Sequence, residues 1–150
     1  MTLIELVIAL SISAAIVGGL GAVIYTVVET TGRGNAEIQV LRDLQAASYW
    51  IREDAKKAIE EPDSGIPDSI LFTSDGVEYT QSTIYLSGTA MMRDTDGTVT
   101  TIASHIKSFE TSFESENRTL TYRLVASSRG KWEFEREMTE KVYLSKVGAE

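Results

Sequence analysis

From Leu6 to Val28 the chain carries no charge, and only Ser11, Ser13 and Thr26 break the run with clearly polar side chains. A helix rises by about 1.5 Å per residue, so this run is long enough to cross a hydrocarbon core of roughly 30 Å. One residue is out of keeping with a plain membrane anchor. Glu5 sits among Leu3, Ile4 and Leu6, where an unpaired carboxylate costs on the order of 3 kcal/mol. The amino terminus lies a few residues away, which sets one positive charge beside that negative one. A secretory signal peptide would begin with a basic region, and no basic residue precedes this run.

Met1 followed by Thr2-Leu-Ile-Glu5-Leu6 and an uninterrupted apolar helix resembles the mature amino terminus of the type IV pilin superfamily, which includes type II secretion pseudopilins. The resemblance covers about the first 28 residues closely and the plan of helix followed by β-rich head more loosely. It implies that Met1 is the first residue after a prepilin peptidase has removed a leader, and that its amine is methylated. It also implies that Glu5 of one subunit meets the Met1 amine of a neighbour in a homo-oligomeric helical filament. Inner-membrane machinery with a cytoplasmic ATPase would drive that assembly, and the subunit would wait in the inner membrane, head outside the cytoplasm, until it joins a surface filament. Many pilins carry a proline near position 22 and a carboxy-terminal disulfide; this chain has Ala22 and no cysteine.

The missing cysteine also excludes thiolate metal sites and cysteine nucleophiles, so packing and backbone pairing must hold the last strands. The net charge of -8 is unevenly spread. Residues 29–61 hold seven acids against five bases, and the rest of the chain after Pro62 holds fourteen against nine. An acidic head has the wrong sign for general nucleic-acid affinity, so no direct binding of nucleic acid is expected.

Three segments follow: a membrane or filament-core helix over 1–28, an amphipathic helix over 29–61 and a β-rich head over 62–150. Gly18, Gly19 and Gly21 crowd a weak spot inside the apolar run, and Gly32 and Gly34 predict a kink or short unwound link after it. From Asn35 onward Ile38, Leu41, Leu44, Ala47, Ile51, Ala55 and Ala58 recur at three- and four-residue steps, and Glu53 to Lys57 forms an i,i+4 pair. Pro62 and Pro67 end the helix. Beyond them the period becomes two, predicting strands over 70–73, 77–80, 83–87, 90–93, 98–102, 106–113, 119–126 and 134–144. Asp75-Gly76, Ser87-Gly88, Asp96-Gly97 and Arg129-Gly130 mark turns. The expected fold is α+β and type IV pilin-like, a long helix packed on an antiparallel sheet.

Chemistry-bearing constellations are few. Asp94-Thr-Asp96-Gly97 opens like a calcium loop but lacks the later ligands, and the turn reading is preferred, so no metal or cofactor is expected. His105 is the single histidine and reads as a structural or surface residue. Neither Gly-x-Ser-x-Gly, nor Ser-x-x-Lys, nor a phosphate loop occurs, and no enzymatic activity is expected. Asn117-Arg-Thr119 fits an N-glycosylation acceptor. Glu133, Glu135, Glu137 and Glu140 read as the solvated face of an edge strand, with ion pairs to a neighbour's Arg42, Arg52, Lys56 or Lys57 as the alternative. The expected function is a structural filament subunit, whether main pilin, minor pilin or pseudopilin; the alternative is a membrane-anchored binding or sensor domain that never polymerises.

Overall fold

The computed structural model describes residues 2–63, 67–74, 77–128, 131 and 133–144. The chain forms two compact units, Met1–Asn35 and Ala36–Glu150. Helix α1 (Leu3–Lys57) is assigned through both without a break, so the unwound link expected at Gly32 and Gly34 is absent, and Gly18, Gly19 and Gly21 are helical too. Each glycine forfeits only about 1 kcal/mol of propensity, which a helix of 55 residues absorbs.

Within the second unit α1 shares one core with two antiparallel sheets. The first runs β1 (Ser69–Thr73), β2 (Gln81–Ser87), β3 (Ala90–Thr95) and β4 (Thr98–Ala103) in that spatial order. The second is β5 (Ile106–Glu114), β6 (Thr119–Ser127) and β7 (Glu135–Tyr143), also in chain order. The antiparallel head expected from the sequence is therefore built as a pair of meanders. A bond from Ile106 N to Thr89 O, at 3.0 Å, ties the start of the second meander to the β2–β3 turn of the first. The whole is an α+β, pilin-like fold.

The core explains why these elements form. Val40, Leu44, Ala47, Ile51, Ala55 and Ala58 are fully or almost fully buried, and steps of four and three put them on one helical stripe. Ile70, Phe72, Ile84, Met91, Phe109 and Leu124 meet that stripe from the strands. Val40 replaces two residues of the expected stripe: Ile38 and Leu41 are 56% and 39% exposed. Counted back from Leu44, position 40 lies on the buried line while 38 and 41 fall to its sides.

Three further expectations are corrected. Residues 77–80 alternate like a strand but belong to the β1–β2 connection. Strand β1 pairs with β2 on one side, from Ser69↔Tyr85 to Thr73↔Gln81, and bonds Ile59 and Asp63 on the other, so neither side of β1 is left for 77–80. The helix ends at Lys57, before Pro62, because Ile59 N bonds Thr73 O at 2.9 Å and Ala58 bridges Ser74. Lys57 pairs with Glu78 and leaves Glu53 to Lys56 at 2.9 Å, so the expected i,i+4 pair does not form. The turn at Asp96-Gly97 matches its sequence signal, with φ of 49° and 90° between the Thr95↔Thr98 pair. The turn signals at Asp75-Gly76 and Arg129-Gly130 lie outside the described residues.

Candidate functional site

The first unit presents its apolar residues outward. Leu3, Ile4, Ile16, Leu20, Ile24 and Val28 are each more than half exposed, and an 18-residue window of this helix has a mean hydropathy of 2.4 with none of it buried. The helix is long and apolar enough to cross a membrane. Its polar side chains offer little to water. Ser11, Ser13 and Thr26 donate to the carbonyls of Val7, Ala9 and Ala22 at 2.8, 2.8 and 3.0 Å, so each hydroxyl proton is satisfied by its own helix. Charge returns only where Arg33 bridges Glu29 at 3.0 Å.

At the other end Glu5 caps its own helix. The Thr2 amide donates to Glu5 Oε2 at 2.8 Å, while the Glu5 amide donates to the Thr2 carbonyl at 3.1 Å. A carboxylate at the third helical position suits both the unpaired first-turn amides and the helix dipole. The Thr2-x-x-Glu5 spacing is the sequence signal of this cap, and reading Glu5 only as a partner for another subunit missed it. Glu5 Oε1 accepts no hydrogen bond among the described residues. Met1, the expected partner and modification site, lies outside them.

Two polar clusters fix the second half of α1 to the head. Asp54 has a fully buried side chain on the apolar stripe. It accepts from Tyr79 Oη at 2.8 Å, Ser82 Oγ at 2.6 Å, and Arg93 Nε and Nη2 at 2.8 Å each. The Arg93 guanidinium lies 4.6 Å from the Trp50 ring centroid and 5.1 Å from that of Tyr79. The hydrogen bond to Asp54 holds Arg93 above the usual arginine range, and burial pushes the Tyr79 hydroxyl up. This joins α1 to β2 and β3.

Glu140 does the same for the second sheet. Its Oε2 accepts from Tyr122 Oη at 2.6 Å, Arg52 Nη2 at 2.9 Å and Ser48 Oγ at 3.0 Å. Burial pushes the Tyr122 hydroxyl up to about 12. Burial also works to raise Glu140, but the hydrogen bonds from Tyr122, Ser48 and Arg52 outweigh it and hold this carboxyl below the usual range. Arg52 therefore serves its own chain, as do the neighbouring acids: Glu135 takes Lys107 and Glu137 takes Arg123. β7 is an edge strand, and its charges discourage further pairing.

The sign of the pH effect follows. A carboxyl whose value falls on folding contributes stability above its unfolded value, near 4.3, which is lost as pH falls through the folded value. Unfolding midpoints of wild type and Glu140→Gln, compared by denaturant titration, should converge as pH drops from about 6 toward 3. The gap at pH 6 should be roughly 1.5–3 kcal/mol, the range for hydrogen bonds to a charged group. A gap independent of pH would rule out the ionised carboxylate as its source.

The remaining candidates are structural. The Asp94 carboxylate accepts from Gly97 N, and Asp96 accepts from Thr80 N and Gln81 N, all at 2.9 Å. Both acids hold the turn, and the backbone contacts of Asp96 keep its carboxyl low. His105 Nδ1 donates to Asp43 Oδ2 at 2.6 Å and so fastens the β4–β5 connection to α1. Asn117 is exposed in the β5–β6 turn, and Thr119 donates to its carbonyl at 3.2 Å. Comparison of the chain with protein-family models, with curated proteins and with solved structures returns no match.

Proposed function

We propose that this chain is a structural, non-catalytic subunit of a type IV pilus-like extracellular filament. It polymerises through residues 3–28, with Glu5 of one copy paired to the amino-terminal amine of the next. The carrying observation is an apolar helical stretch with none of its 18-residue window buried among the described residues, whose hydroxyls are internally satisfied and whose one carboxylate stands at the amino-terminal edge. Such a surface needs a dry environment, and either lipid or a bundle of identical helices supplies one.

On this reading the same helix first holds the subunit in the cytoplasmic membrane, where a prepilin peptidase processes it. It then passes to a filament core when membrane assembly machinery extracts it. The two clamps at Asp54 and Glu140 hold the second half of α1 to the sheets of the head. The test is to shear and purify surface filaments from cells producing the chain and to identify their components by mass spectrometry. The expected result is filaments in which this chain is present. A chain that stays monomeric in the membrane with its leader intact would overturn the proposal.

A further inference from the structure

The helix face turned away from the core has an unusual composition for an acidic chain. Its exposed residues include Arg42, Tyr49, Arg52 and Lys56, with Ile38 and Leu41 beside them. Arg52 and Lys56 are paired within the chain to the partly exposed Glu140 and Glu53, so the excess positive charge rests on Arg42 and, beyond the helix, Lys141. From Arg42 to Lys56 the face runs about 21 Å along the helix. Across an open groove of ≈ 420 Å³ lie Lys141 and Tyr143 of β7, the latter 72% exposed. Arg42 and Lys141 have no acid partner among the described residues.

The opposite composition lies just past the end of α1. Glu60 and Glu61 are exposed there, and Ser115 Oγ donates to Glu61 Oε2 at 3.1 Å, which brings the β5–β6 turn with exposed Glu114 and Glu116 to the same place. Glu60, Glu114 and Glu116 have no cation partner among the described residues. One head thus carries a basic, partly apolar face and, beyond its end, an acidic pole.

We infer that the basic face of α1 is the seat for the acidic pole of a second copy of this chain. Two different patches can meet reciprocally about a two-fold axis or head-to-tail, and of these only the head-to-tail contact propagates and so fits a filament. Copies shifted along the helix direction would bring the pole of one onto the face of the next. Tyr49, Ile38 and Tyr143 give the seat apolar area, and the charges set its register and discourage face-to-face and pole-to-pole encounters. A chain of net charge -8 gains from such an arrangement, because random packing of acidic heads is repulsive. This inference rests on the filament reading for its geometry, but its contact can be tested separately.

The test is zero-length carbodiimide coupling, which joins an amine to a carboxylate only when the two touch. It is applied to membranes and sheared filaments containing the full chain, from a culture mixing isotopically light and heavy copies. The expected products are ladders in which Lys56 or Lys141 of one copy is joined to Glu60, Glu61, Glu114 or Glu116 of another. Exchanging both turn acids, Glu114→Gln with Glu116→Gln, should cut the ladder about fivefold without disturbing the fold, since both are exposed. Filaments with no such products, or with light–heavy links elsewhere, would overturn this contact and leave the proposed function standing. If no filaments form, the filament reading falls, and the membrane sample still decides: light–heavy links at these residues support the contact, and their absence overturns it.

Discussion

Replacing Asp54 with alanine is expected to cost about 3–5 kcal/mol of head stability, the largest loss of any single polar substitution in this chain. The carboxylate has no exposed side-chain surface and accepts four hydrogen bonds, two of them from a guanidinium that is itself only 13% exposed. Removing it leaves Arg93 charged and unpaired between Trp50 and Tyr79, and strands the hydroxyls of Tyr79 and Ser82. For a unit of this size the midpoint of thermal unfolding should fall by roughly 10–20 °C. Trp50 packs against Arg93, so in a Trp132→Phe background its fluorescence during denaturant titration in detergent reports on the clamp.

The asymmetry of buried ion pairs sharpens the test. The double variant Asp54→Leu with Arg93→Met should be far less destabilised than either single change, because no uncompensated charge remains. A loss under about 1 kcal/mol for Asp54→Ala would mean that water reaches Arg93 and that the clamp matters little.

Neither clamp was legible as such in the sequence, although one signal was present. Asp54 stands between Ile51 and Ala55 on the apolar stripe, and an acid there must be paired or absent from the core. What one chain cannot tell is the identity of the donors, because Tyr79, Ser82 and Arg93 reach Asp54 only through the fold. Strands were easier. Seven of the eight expected strands form, since alternation and glycine turns act within a few residues. The exception, 77–80, failed because pairing is decided by which edge is free, a property of the whole sheet. Division of the strands into two meanders was equally out of reach.

The glycines make the complementary point. Gly32 and Gly34 read as a break, yet the helix continues, because propensity is a small local term against a long run of helical hydrogen bonds. Glu5 was recognised as anomalous but assigned a single duty, while its Thr2 contact shows a second, capping one.

The observed cap and the proposed assembly role together yield the second large prediction. Glu5→Ala should leave the chain in the membrane while reducing filaments by at least about a hundredfold, the equivalent of roughly 3 kcal/mol per subunit contact. Loss of the cap alone costs about 1 kcal/mol at the first turn, too little to melt a helix of this length or to prevent insertion. Glu5→Gln separates the two duties. Its amide oxygen can still accept from the Thr2 amide, so the cap survives, but no charge remains to meet an amine. Under the ion-pair proposal the glutamine variant assembles as poorly as the alanine variant, by electron microscopy and by the mass of sheared protein. Normal filaments from Glu5→Gln alongside none from Glu5→Ala would make the cap, and not the charge, the requirement. Normal filaments from both would remove Glu5 from assembly altogether. The open Oε1 favours the first outcome: one oxygen is already committed to its own helix, and the other faces outward at the edge of an apolar surface where a single positive group would neutralise it.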